Sequence, residues 1–320
     1  MDISLLEFPS GLSLRVEDRH QVVEQTQAKK TKAGTAIELP FDPPRHSYYL
    51  SPDRWAIITT GQSAASIYPT RSAASRSIRP VFRLNVRQIQ SLSVVGKHGS
   101  NRERIHVASV VSRPFQENTY IAWLDGHTDC LVVDPGLEPA RIIELLDTEE
   151  LTPAAILNTH GHSDHIAGNG AMKRRWPDCP LVIGENETGK LSDPWQNLSA
   201  DFGAAVVSPP ADATVREGDI YQAAGFDLLV REIPGHSSGH VVFIWRAGSP
   251  QVVFGGDVLF AGSVGRTDDK VGGSFAQLAR GIREKLFTLP DDTIVLPGHG
   301  PATTVGEEKR SNPFVGGSCT

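Results

Sequence analysis

The sequence predicts a layered α/β architecture with mixed sheets, on three observations. From Arg104 onward, short runs rich in β-branched and aromatic residues alternate with segments of helical spacing. The runs at the start and middle of that region come as antiparallel-looking pairs. A chain of 320 residues is long enough for one large domain or two ordinary ones with a sizeable core.

The elements follow in order. "RIHVASVV", "NTYIAWL" and "CLVVD" read as three strands, and "DPG" (Asp134 to Gly136) as a turn. "EPARIIELLDTEE" has helical spacing, with Ile142, Ile143, Leu145 and Leu146 on one face. "PAAILNT" is a strand, and "SDHIAGNGAMKRRW" a loop entering a helix. "PLVIG", "FDLLVREIP", "HVVFIWRA" and "QVVFGG" follow as strands. "SFAQLARGIREKLFTL" is an amphipathic helix and "DTIVLPG" a last strand.

Residues 1–104 differ in texture. They hold 15 Lys/Arg against 9 Asp/Glu, whereas residues 105–320 hold 16 against 28. "SAASIYPTRSAASRSIRP" is Ser/Arg-rich and low in complexity, and "RWAIITT" is a short strand at most. The expected organisation is a poorly ordered basic extension over 1–104, followed by a folded α/β domain over 105–320. The only methionine after Met1 is Met172, so a start just ahead of the domain would need another codon. No run approaches the roughly 18–20 apolar residues of a membrane span. The first residues lack the positive start and apolar stretch of a secretory signal. Cys130, Cys179 and Cys319 are few and far apart, which fits a reducing cytoplasm. The acidic balance of residues 105–320 argues against nucleic acid as a partner.

The chemistry concentrates in "NTHGHSDHIAG". His160, His162, Asp164 and His165 fall within six residues, directly after an apolar strand, in a chain with eleven histidines. Loops at the carboxyl ends of strands are where α/β proteins place their sites. Two histidines two apart in an extended segment can point the same way. Imidazole and carboxylate are ligands that zinc and similar metals prefer. Further candidates each sit just after an apolar strand: His236 and His240 in "REIPGHSSGH", Asp257 in "VVFGGD" and His299 in "TIVLPGHGP". Glycine beside a ligand lets the backbone approach closely.

These residues resemble the metallo-β-lactamase superfamily. Its His-x-His-x-Asp-His signature is matched by His160, His162, Asp164 and His165, and its later motifs by His236, Asp257 and His299. Within the superfamily the chain resembles the compact bacterial glyoxalase II-like hydrolases, through "PGHSSGH", "GDVLFAGSVGRTD", "LPDDTIVLPGHGP" and "TTVGEEKRSNPF". The resemblance covers about residues 105–315. It implies a four-layer αββα sandwich with the site at one edge. His160, His162 and His236 would hold one metal, and Asp164, His165 and His299 a second, with Asp257 bridging. Two divalent ions are expected, zinc first, with iron or manganese as alternatives. Hydroxide at a metal pair attacks a carbonyl, with Asp164 or Asp257 orienting it, and a thiolate leaves. The implied substrate is a small thioester such as an S-2-hydroxyacyl glutathione. Arg266 falls where relatives have a basic substrate contact, although a salt bridge with Asp268 or Asp269 is an equal use for it. Only about twenty residues follow His299, so the helical domain of longer glyoxalase II enzymes is not expected.

Other readings compete. "GHSSG" fits a serine nucleophile elbow with Ser237, Asp257 and His299 in hydrolase order, but a β-rich segment follows where a helix is needed. A mononuclear iron persulfide dioxygenase would leave Asp164, His165 and His299 unexplained. A metal-bound scaffold without turnover is the non-enzymatic alternative. His240 is expected to pack behind the ligands, and His106 and His127 carry no assignment.

Overall fold

The computed structural model describes residues 104–268 and 273–317, together with the strands β1 (Ile3–Glu7), β2 (Ser13–Glu17), β3 (His46–Ser51), β4 (Arg54–Thr59) and β5 (Leu92–Val95). β1 pairs with β2 and β3 with β4, each antiparallel. β3 and β4 belong to a unit spanning His20–Leu84, separate from the one that holds the other elements. The expectation of poor order for residues 1–104 otherwise falls outside the described residues, as do Asp269 and Cys319.

The larger unit is built around two large sheets. The first runs β11-β10-β9-β8-β7-β6-β5, built from β6 (Arg104–Val111), β7 (Asn118–Leu124), β8 (Asp129–Val133), β9 (Thr152–Asn158), β10 (Leu181–Gly184) and β11 (Ala213–Val215). The second contains β12 (Ile220–Ala223), β13 (Phe226–Glu232), β14 (Val241–Trp245), β15 (Val252–Gly256), β18 (Ile294–Pro297) and β19 (Thr303–Thr304), in the order β12-β13-β14-β15-β18-β19. A small hairpin, β16 (Leu259–Phe260) with β17 (Ser263–Val264), follows β15. β5 pairs with β6 through Leu92↔Val107, so the first sheet begins ahead of residue 105. Four residues are too few for periodicity to reveal.

The layering follows from strands that are apolar on both faces. In β9, Ala155 and Leu157 point into the cluster between the sheets, while Ile156 points outward. β14 repeats this, with Val241, Phe243 and Trp245 inward and Val242 and Ile244 outward. A strand buried on both faces loses the polar alternation, which is why these segments read as unbroken apolar runs. The outer face of the first sheet is covered by α1 (Pro139–Thr148) and α3 (Asn169–Arg175), through Ile142, Leu145, Leu146 and Met172. Pro139 starts α1, where its missing N–H costs nothing. Ile143, expected on the same face, is only partly buried.

The second sheet is covered by α4 (Phe275–Gly281), which widens into a π-helical turn over Ile282–Leu286, and by α5 (Val305–Ser311). Leu278, Ile282, Leu286 and Val305 seal that face. The order helix, sheet, sheet, helix is the αββα sandwich. Each fully buried Leu, Ile, Val or Phe in these layers stabilises by about 1.5–3 kcal/mol relative to exposure. Among the described residues, no helix is long and apolar enough to cross a membrane.

Parallel pairs fix where the loops emerge. β8 pairs parallel with β9 across α1, and β15 with β18 across α4. The carboxyl ends of β9, β15 and β18 therefore lie along one edge. Val241 N–H donates to the Thr159 carbonyl at 2.9 Å, tying the two sheets together there.

Candidate metal centre

The loop after β9 carries the first four candidates. His162 has extended backbone and caps α2 (Ser163–Ile166), so Asp164 and His165 fall in that short helix's first turn. Asn158 Nδ2 donates to the His165 carbonyl at 3.0 Å, closing the loop back on its strand. His236 arrives after β13, Asp257 directly after β15 and His299 after β18. Two glycines make the approach possible. Gly256 has φ +47°, and a Cβ there would lie 2.3 Å from Thr159 Oγ1. A Cβ on Gly298 would lie 2.3 Å from Asp257 Oδ1.

All seven residues converge. His160 Nε2 is 3.0 Å from His162 Nδ1 and 3.3 Å from His236 Nε2, and His236 Nε2 is 2.9 Å from His162 Nδ1. Asp164, His165 and His299 form a second trio, with Asp164 Oδ2 at 3.8 Å from His165 Nε2 and 3.4 Å from His299 Nε2. Asp257 stands between them. Its Oδ2 is 3.4 Å from His236 Nε2 and 3.5 Å from His299 Nε2, and its Oδ1 is 3.5 Å from His165 Nε2.

The outer hydrogen bonds decide what these atoms can do. His236 Nδ1 faces the Arg266 carbonyl at 2.9 Å, so it carries the proton and Nε2 presents a lone pair. Thr159 Oγ1 donates to Asp134 Oδ2 at 2.7 Å, so it accepts from His160 Nδ1 at 3.1 Å, and His160 Nε2 is likewise a lone pair. Two acceptors thus face each other with no proton between them. His165 Nδ1 donates to Asp134 Oδ2 at 3.0 Å, and His299 Nδ1 to the Phe115 carbonyl at 3.0 Å. Their Nε2 atoms face the Asp164 and Asp257 carboxylates at 3.4–3.8 Å, and buried His165 Nε2 and Asp257 Oδ1 have no hydrogen-bond partner among the described residues. A cation resolves every one of these conflicts. Nitrogens each about 2.0–2.1 Å from one tetrahedral ion lie about 3.3 Å apart, close to the spacings of the first trio. The residues fit divalent metal ions.

Electrostatics separate the trios. Burial pushes His160 and His162 well below the ordinary imidazole range, and neighbouring imidazoles push the same way. Burial also lowers His236, against the pull of Asp257. Burial opposes charge on His165 too, but Asp164, Asp257 and Asp134 outweigh it and hold His165 well above its usual value. His299 is raised for the same reason, chiefly by Asp164. Burial would raise Asp164, yet His165 and His299 hold it below the carboxylate range.

Several contributors escaped the sequence reading. Asp134, read as a turn residue, is 2% exposed and binds Thr159 N–H as well as Thr159 Oγ1 and His165. A carboxylate closing an apolar strand was the available signal. Glu187 is fully buried and joins both ligand loops, accepting from Gly161 N–H at 2.8 Å and Gly239 N–H at 2.7 Å. Lys190 Nζ donates to Glu187 at 2.7 Å, to Ser238 at 3.2 Å, and to Ser237. Ser237 Oγ in turn donates to Glu187 at 2.7 Å, so this serine belongs to the carboxylate hub and the elbow reading falls. His240 Nε2 accepts from Asp257 N–H at 3.0 Å, and its ring stacks on His160. Arg266 reaches the centre through its carbonyl, while its half-exposed guanidinium lies 3.8 Å from Asp268. His106 pairs with Asp125 and stacks on Trp123, outside the centre.

A sequence profile of the Metallo-beta-lactamase superfamily matches residues 112–299. The chain belongs to that superfamily. The probable metallo-hydrolase YqgX of Bacillus subtilis is 40% identical over 205 residues, which are 64% of this chain and 94% of the relative. The hydroxyacylglutathione hydrolase GloC of Haemophilus influenzae is 37% identical over 208 residues, covering 63% of this chain and 93% of its own. The solved structure of TTHA1623 in a di-iron-bound form superposes with a TM-score of 0.56 at 36% identity, covering 64% of this chain and 98% of that one. The chain is a metallo-hydrolase of this superfamily.

Proposed function

We propose that the protein is a cytoplasmic, binuclear thioester hydrolase of the glyoxalase II type, acting on small S-acyl thiols such as S-2-hydroxyacyl glutathione. One observation carries the reading: two trios of metal-ligand type share Asp257, and in the first of them the Nε2 lone pairs of His160 and His236 face each other with no proton between them. His160, His162 and His236 would hold one ion and Asp164, His165 and His299 the other, with Asp257 placed between them. Divalent ions bound there would lower the pKa of water from about 15.7 toward 7 and polarise a carbonyl. Zinc suits the imidazole and carboxylate donors, and the di-iron relative makes iron the alternative.

The chain's own groups do the positioning. Asp164 is ionised throughout the neutral range and partly open to solvent, so its carboxylate accepts a hydrogen bond from the attacking water and orients it. Asp257 Oδ2 faces both trios and can take the proton. Buried His160 and His165 keep bulk water from the far side. A thiolate leaves without a strong general acid, since its ordinary pKa is near 8.5. The name of the Haemophilus relative supports the acyl-thiol substrate. The mononuclear dioxygenase alternative is disfavoured by the second trio.

The test is metal quantitation paired with hydrolysis of a thioester, with and without chelator. Asp257→Ala and His299→Ala should each lower bound metal and turnover. Two ions retained in both variants would remove the ligand assignment, and metal-loaded wild type inert on thioesters would remove the activity.

A further inference from the structure

Among the described residues, the centre is most open at His299 and Asp164. The side chains of His299 and Asp164 are 25% and 18% exposed, whereas those of His236 and His165 are 3% and 0%. A substrate therefore approaches past His299. Three phenylalanines are linked to His299, directly or through one another. The Phe115 backbone lies beside His299, its carbonyl accepting the Nδ1 proton at 3.0 Å. The Phe202 ring packs edge-on against Phe115 at 5.0 Å, yet Phe202 remains 60% exposed. Phe260, from the β16–β17 hairpin, stands edge-on to the His299 ring at 6.1 Å.

The segment bearing Phe202 is anchored to the ligand loop. Fully buried Asn197 accepts the Ser163 N–H on its carbonyl at 2.9 Å, and Ser163 lies between His162 and Asp164. The Asn197 side chain donates to the Lys190 carbonyl at 3.0 Å and to the Val206 carbonyl at 2.9 Å, clamping both ends of the segment. An aromatic ring so exposed, held by a clamp tied to the ligands, has an apolar face ready for a partner.

Resting on the hydrolase reading, we infer that Phe202 and Phe115 form an apolar specificity wall at the His299 side, and that the preferred substrates are thioesters with an aliphatic or aromatic group lying against it. A small, hydroxylated acyl group leaves that wall wet. The wall acts on binding and not on the chemical step.

The experiment measures binding and turnover separately on the metal-loaded full chain. N-acetylcysteamine thioesters of 2-hydroxypropanoate, butanoate and hexanoate are compared for hydrolysis. Their ketone isosteres, with CH₂ replacing the sulfur, are titrated calorimetrically. Wild type should bind tighter by up to about fourfold per added methylene along the butanoyl-to-hexanoyl ketones. Phe202→Ser should flatten that slope, and Phe202→Leu should keep most of it. A flat series in wild type, or an equal slope in Phe202→Ser, overturns the wall. A slope in the ketones with no thioester turnover supports the wall and sinks the hydrolase reading instead.

Discussion

The two trios around Asp257 are built from the same kinds of side chain and differ in their surroundings. His160, His162 and His236 are 0–4% exposed, and burial keeps their rings neutral. Asp164, His165 and His299 include a carboxylate, and His299 faces solvent. There, Asp164 and Asp257 hold the imidazoles in favour of their charged forms. One trio is thus preset for a cation without a competing proton. The other keeps a proton where a cation would go. Two ions in one pocket need not be held alike, and the difference lies in the carboxylates more than in the imidazoles.

The severest way to break the comparison is to remove a ring from the preset trio. His236→Ala takes one of three convergent nitrogens and should cost more than the 10–100-fold typical of losing a ligand's supporting partner. Bound metal should fall to one ion or none, with turnover reduced by at least about 100-fold. Equal metal content in wild type and variant would erase the distinction between the trios.

Glu187→Gln probes what holds that trio's loops. The carboxylate joins Gly161, Ser237, Gly239 and Lys190, and its loss leaves Lys190 without its anion. Breaking a buried pair from one side costs about 3–5 kcal/mol of stability. Metal affinity at the first trio should drop about 10–100-fold, as for other groups that orient ligands. Thermal unfolding with and without metal separates the two effects, and an unchanged midpoint and affinity would make the hub ornamental.

Acid sharpens the comparison. In the metal-free protein His165 and His299 have folded pKa values above the usual 6.5, so near and below neutrality a metal must displace their protons. Affinity at the second trio should fall about tenfold per pH unit for each proton displaced. The first trio's rings are already neutral there and compete only in stronger acid. Titrating metal occupancy from pH 8 to 6 should release the second ion first. The same groups bear on folding with opposite signs. His165 adds stability below the unfolded pKa, which is lost as pH rises through its raised folded value. Neutral, buried His160 adds stability above the unfolded pKa, which is lost as pH falls below about 6.5. Simultaneous release of both ions would contradict the assignment of protons to one trio.

The convergence of the candidate ligands was legible because each announces itself locally: a polar, metal-prone residue directly after an apolar run, often beside a glycine. The strands that deliver them, such as β9 and β15, were legible because burial on both faces makes them uniformly apolar. Asp134, Glu187 and Phe115 were not, because their significance lies in partners far along the chain. Glu187 meets Gly239 across 52 positions, and Phe115 meets His299 across 184. No local pattern distinguishes a buried carboxylate hub from an ordinary surface glutamate on a short turn. β12 escaped for a related reason, since its residues are at least partly exposed and lack any apolar period. The C-terminal motif likewise owes its purpose to distant partners. Glu308 accepts from the Gly262 N–H and from Thr303 and Asn312, fastening α5 to the hairpin that carries Phe260.

Arg266 offers the smallest effect and a clean partition. Its carbonyl orients His236, and any residue supplies a carbonyl. Its guanidinium is half exposed and 3.8 Å from Asp268, a geometry worth at most about 1 kcal/mol. Arg266→Ala should therefore leave bound metal unchanged and shift the unfolding midpoint little. If the guanidinium serves only its ion pair, all thioesters keep their KM. If it also receives a substrate carboxylate, KM rises about tenfold for a glutathione thioester, which bears one, and stays level for an N-acetylcysteamine thioester, which does not. Equal change in both would assign the side chain to loop geometry alone, because a distorted loop would shift His236 whatever the substrate.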